Sequence, residues 1–110
     1  MRILPDHRVP RRFSAALAGH RVTTASAMGW QSLRNGKLLR AAGDDGFDVL
    51  LTVDRNLRHE QNLSTLPITV VVLVATSNRL ADLLPLVPAL ERALVGLAPR
   101  TLVEVSQPSP

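Results

Sequence analysis

The sequence predicts an α/β fold, a three-layer sandwich around a mainly parallel sheet of about five strands. Strand-like and helix-like stretches alternate along the whole chain, the order that places helices on both sides of a parallel sheet. The runs 48–53 and 68–74 are nearly continuously apolar, as strands covered on both faces must be.

The elements follow in order. Arg2-Ile3-Leu4 opens as a short strand. Residues 10–17 form a helical stretch in which Phe13, Ala16 and Leu17 share one face at i, i+3, i+4 spacing. After Gly19-His20, the β-branched run 21–24 predicts a second strand, and a turn or short helix covers 25–30. Asn35 is placed to cap a helix through Leu38, Leu39 and Ala42 that Gly43 or Gly46 would end. The third strand, 48–53, leads through a short helix at 58–63 to the fourth, 68–74. Ser77 and Asn78 are placed to cap a helical stretch over 79–98, with Asp82 near its positive end and a break near Leu84 imposed by Pro85. A last strand spans 101–105. One domain over 1–105 is expected, with a disordered tail at 106–110.

Composition narrows the function classes. The chain has 110 residues and no cysteine, which excludes disulfides, thiolate metal sites and cysteine nucleophiles, and is compatible with a reducing compartment. No apolar h-region follows Arg2, so no secretory signal is expected. The stretch 80–98 is the most apolar long one, but it carries Asp82, Glu91, Arg92 and two prolines, and does not read as a membrane span. Net charge is +4, and residues 1–58 hold ten Arg or Lys against five Asp or Glu. A basic half of this kind attracts nucleic acid or an acidic protein. Phe13, Trp30 and Phe47 are the only aromatics, too few for base stacking to dominate recognition. Trp30 reads as a core or partner-facing anchor, and His20 as a turn residue without a metal-spaced companion.

Parallel sheets bind ligands beyond the carboxyl ends of their strands, where successive connections leave in opposite directions. In the order second, first, third, fourth, fifth, the first and third strands are neighbours and the switch point lies between them. Asp6 and Asp54 follow the ends of these two strands. An aspartate at a strand end is most often a turn former, but two brought together suit a hard divalent cation, because Mg²⁺ takes one or two carboxylates and completes its shell with water and phosphate. Ser77, Asn78 and Arg79 lie beyond the fourth strand at the same edge, where capping competes with phosphate binding as their role. Residues 59–62 are polar and read as a surface loop.

The run Arg2-Ile3-Leu4-Pro5-Asp6-His7-Arg8-Val9-Pro10-Arg11-Arg12 resembles the opening of the PIN-like nucleases. The likeness continues through Met28-Gly29-Trp30, Asn35-Gly36-Lys37-Leu38-Leu39, Phe47-Asp48-Val49-Leu50-Leu51-Thr52-Val53-Asp54-Arg55-Asn56-Leu57, Gln61-Asn62-Leu63 and Ser77-Asn78-Arg79-Leu80. These motifs are short; their order and spacing carry the match.

The resemblance implies a cytoplasmic, metal-dependent endoribonuclease of toxin–antitoxin type, similar to the VapC toxins. Mg²⁺ or Mn²⁺ would be the cofactor, RNA the substrate and an antitoxin protein the partner; a homodimer is left open. Asp6 and Asp54 match two of the family's acidic positions, as metal-binding and catalytic residues. Asn56, the third metal-site residue as an outer-sphere partner, stands where many members have another aspartate, and Lys37 where an acid is common in the first helical turn. His7 replaces an acid or asparagine, so the acidic site is depleted. Thr52, Asn35, Lys37, Ser77, Asn78 and Arg79 are the expected substrate-side residues, Thr52 acting as a hydrogen bonder behind the carboxylates. The alternative is a non-catalytic PIN-like domain that binds protein or RNA. A receiver-like signalling domain would use the same sheet order and phosphorylate Asp54, but no second acid beside Asp6 supports it.

Overall fold

The computed structural model describes residues 1–107. Five strands, β1 (Arg2–Pro5), β2 (Arg21–Val22), β3 (Val49–Thr52), β4 (Thr69–Val74) and β5 (Leu102–Ser106), form one sheet. Their order is β2-β1-β3-β4-β5, and every pairing is parallel. The fold is therefore the expected α/β sandwich, with the switch point between β1 and β3.

Alternation along the strands builds two cores. Ile3, Val49, Leu51, Val71 and Leu73 face one side, where they pack against Phe13, Leu17, Leu83, Leu86, Leu90 and Leu94. The intervening Leu4, Leu50, Val70 and Val72 face the other, against Leu38, Leu39, Ala42 and Leu57. The first layer is a 3₁₀ helix (Arg11–Leu17) with α3 (Leu80–Leu83) and α4 (Val87–Val95); the second holds α1 (Asn35–Asp44) and α2 (Leu57–Glu60). Trp30 packs edge-on to Phe47 with ring centroids 6.1 Å apart, which assigns it to the second core.

Several boundaries differ from the sequence reading for local reasons. β2 stops at Val22 because the Thr24 hydroxyl accepts from the Ala27 amide at 3.1 Å and turns the chain. The stretch expected to be helical begins at Arg11, after an extended Pro10, and adopts a 3₁₀ rather than an α-helical pitch, still burying Phe13 and Leu17. The break expected near Leu84 is a 3₁₀ turn over Leu84–Leu86. Ser106 is not in a tail: it pairs with Val74 as the last residue of β5, and residues 108–110 of the expected tail lie outside the described residues. His20 is the expected turn residue, its amide donating to the Leu17 carbonyl at 3.0 Å, and it adds a tertiary contact through Nε2 to Glu91 on α4 at 3.0 Å.

Pro5 sits inside the sheet at no cost to the ladder. Ile3 faces β2, accepting from the Thr23 amide, whereas Asp6 faces β3, donating to the Leu51 carbonyl at 2.8 Å. By alternation Pro5 faces the side on which β2 has already ended.

The two glycines proposed to end α1 have different tasks. Gly46, at φ +85°, donates to the Gly43 carbonyl while Phe47 donates to Ala42, a Schellman closure that needs the left-handed region. Gly43 lies within the helix, and a Cβ there would come 2.8 Å from Pro67 Cβ. Gly43→Ala is expected to lower the thermal unfolding midpoint: overpacking of about 1–3 kcal/mol outweighs a helix-propensity gain of about 1 kcal/mol. A midpoint above that of the parent protein would show that the loop at Pro67 yields freely.

Candidate functional site

The register places Pro5 opposite Leu51, so Asp6 and Thr52 are the next pair along the two strands. Thr52 continues the α1-side face of β3 as Leu4 and Asp6 do on β1, and Asp54 and Asn56 follow in the turn that leads into α2. The Thr52 hydroxyl, itself buried, donates to Asp6 Oδ2 and accepts from the Asp54 amide at 3.0 Å. One threonine thus ties both aspartates to the end of the sheet. The Arg8 amide donates to Asp6 Oδ1 at 3.0 Å, and the Asn56 amide to Asp54 Oδ1 at 3.0 Å. Burial pushes the Asp6 carboxyl above its ordinary value, against the Thr52 and Arg8 hydrogen bonds, which act in the opposite direction.

A cleft of about 400 Å³ opens over these groups, bringing Asp6, Asp54, Asn56 and Asn35 together with His7, Arg8, Arg34 and Glu60. His7 is fixed by donating from Nε2 to the Leu33 carbonyl at 2.8 Å. Asn35 does not cap α1 as expected. Its backbone takes φ 47°, a conformation asparagine tolerates better than most residues. Its Nδ2 reaches toward Glu60 Oε2, at 3.5 Å.

Glu60, expected in a polar surface loop, stands on α2 and lines the cleft. The signal was present: Asn56 and Glu60 are four residues apart, so a single helical turn puts both on one face.

Other expected site residues stand elsewhere. Lys37 is exposed and lies outside this cleft. Thr52 is 1% exposed and lies beneath the carboxylates, out of reach of a substrate. The Ser77 hydroxyl accepts from the Arg79 amide at 3.0 Å and donates to Asp82, so its hydrogen-bonding capacity is committed within its own turn. That donation, and then Arg79, hold the Asp82 carboxyl below the usual range. Asn78 donates to the Arg8 carbonyl at 3.0 Å, pinning the loop after β1. Arg79 pairs with Asp82 at 3.6 Å and remains largely exposed.

Among the described residues, no group of three or more His, Asp or Glu side chains converges at metal-binding spacing. The donors at the switch point are the carboxylates of Asp6 and Asp54 and the neutral oxygen of Asn56. That set is small, yet it fits a cation that takes one or two carboxylates and leaves the remaining positions to water and phosphate. Each bonded Asp oxygen retains a second lone pair for this.

Comparisons with protein-family models, with curated proteins and with solved structures found no match to this chain. Among the described residues no helix is long and apolar enough to cross a membrane.

Proposed function

We infer that the chain is a PIN-like domain of toxin–antitoxin type, a cytoplasmic endoribonuclease that depends on Mg²⁺ or Mn²⁺ and works with a reduced acidic centre. The observation that carries this reading is the tie between Asp6 and Asp54 through one buried threonine at the switch point of a parallel sheet. Asp6 and Asp54 hold the cation, Thr52 orients Asp6, and Asn56 offers a neutral oxygen at the rim. When bound, the cation stabilises the charge that develops as a phosphodiester is hydrolysed. Arg8 and Arg34, in the same cleft, supply positive charge toward an RNA backbone. An antitoxin protein is the expected partner, masking the cleft.

Purified protein should cleave single-stranded RNA with Mg²⁺ or Mn²⁺, and chelation or Asp54→Asn should reduce cleavage to background. Cleavage that survives both overturns the reading.

The second reading, a non-catalytic RNA- or protein-binding domain, is favoured by the arginines beside the two aspartates. Mn²⁺ titration separates the two: saturable binding that disappears in Asp54→Asn belongs to the enzyme, and no binding at millimolar Mn²⁺ belongs to the binding domain.

A further inference from the structure

Beyond the ends of β3 and β4 a second cavity, of about 330 Å³, opens on the opposite side of the sheet crest from the aspartates. Asp54 and Asn56 line the aspartate cleft beside α1 and α2, whereas Val53 belongs to the core on the side of α3 and α4. Arg55 lines the new cavity with Arg8 and Asn78.

The charge of this cavity differs from that of the cleft. Two arginines line it, and no acidic residue does. Among the described residues the ion pairs of arginine involve Arg2, Arg58 and Arg79, and neither Arg8 nor Arg55 forms one. The Asn78 amide spends one N–H on the Arg8 carbonyl and retains another. Arg8 also lines the aspartate cleft, so the two depressions share one residue.

We propose that this cavity is a phosphate subsite, in which Arg55 and Arg8 hold one phosphodiester of a single-stranded RNA whose neighbouring phosphate lies over Asp6 and Asp54. The identity of the strand rests on the function proposed above; the anion site itself rests on the arginine pair and its cavity. A guanidinium presents several N–H donors in a planar fork that matches phosphate oxygens. Base stacking contributes little here, because Phe13 and Phe47 are buried and Trp30 packs on Phe47. Affinity for a strand therefore comes from phosphate contacts and depends on salt.

Two measurements on the full chain test this. Inorganic phosphate, titrated in chelating buffer and followed by NMR, should shift the Arg55 and Asn78 signals saturably, and Arg55→Gln should weaken that binding at least fivefold. Arg55 is exposed, so the variant should keep the parent amide spectrum elsewhere, and Arg55→Lys should restore part of the affinity. With single-stranded RNA in the same buffer, Arg55→Gln should reduce the slope of log affinity against log salt by about 0.7, the loss of one single-strand phosphate contact. Equal phosphate affinity in parent and Arg55→Gln, or shifts confined to the Asp6–Asp54 cleft, overturns the subsite even if RNA is cleaved. Saturable phosphate binding through Arg55 without any RNA binding or cleavage supports the subsite, assigns it to a free phosphate compound, and overturns the nuclease reading instead.

Discussion

Phe13→Ala is expected to cost about 3–5 kcal/mol, the range for removing a buried aromatic side chain from a packed core. Phe13 is completely buried, and its neighbours in the same core include Ile3, Leu51, Leu73 and Leu83. It thus joins the 3₁₀ helix to the sheet and to the helices that follow β4. With only two phenylalanines and one tryptophan in the chain, the flanking leucines and valines have no large ring among them to collapse into the space. Domains of this size have total stabilities of about 5–15 kcal/mol, so the loss is a large fraction of the whole. Thermal unfolding followed by circular dichroism should show the midpoint falling by more than about 10 °C. Phe13→Leu, which keeps most of the volume, should cost much less, since such swaps are tolerated best. Equal losses in the two variants would mean that ring volume is not what this position supplies.

Much of this core was legible because β3 and β4 are runs of Val, Leu and Thr that suit a strand buried on both faces. The neighbourhood of Asp6 and Asp54 followed from the same sheet order, since adjacent parallel strands end at the same edge. Residues whose place depends on a turn or a short helix were less legible. Asn35 has the composition of a cap, but at φ 47° it directs its amide across the cleft. Glu60 reaches the site through the four-residue α2, and its spacing from Asn56 was the one trace of this in the sequence. Ser77 lies at the carboxyl edge where a phosphate ligand was expected, yet its hydroxyl is consumed by Arg79 and Asp82. Chain position indicated the edge of the sheet; which hydrogen bonds were already taken could be read only from three dimensions. Lys37 shows the same limit from the other side. Its place in the first turn of α1 suggested a cation beside the aspartates, but the helix presents it to solvent.

Asp6→Asn should separate function from stability. The carboxyl of Asp6 is held above its ordinary value of 3.8, chiefly by burial. An acid whose pKa is raised on folding binds its proton more tightly in the folded state. Its contribution to stability is therefore greatest at low pH, and declines as pH rises from about 3.8 to the folded value, then stays flat. In chelating buffer at pH 7 the native protein thus carries a carboxylate whose desolvation is incompletely compensated. Asparagine removes the charge and still offers an oxygen to the Arg8 amide and an N–H to Thr52 Oγ1. Asp6→Asn should accordingly raise the unfolding midpoint at pH 7, and the parent-minus-variant difference in stability should narrow as pH falls below the folded value. Metal-dependent RNA cleavage should drop to background in the same variant, because one of the two carboxylates that hold the cation is gone. Denaturant unfolding from pH 3 to pH 8, with cleavage assays at neutral pH, reads both effects. A variant that is less stable at pH 7, with a deficit that shrinks as pH falls, would show that the Thr52 and Arg8 hydrogen bonds outweigh desolvation. Retained cleavage would remove Asp6 from the metal site.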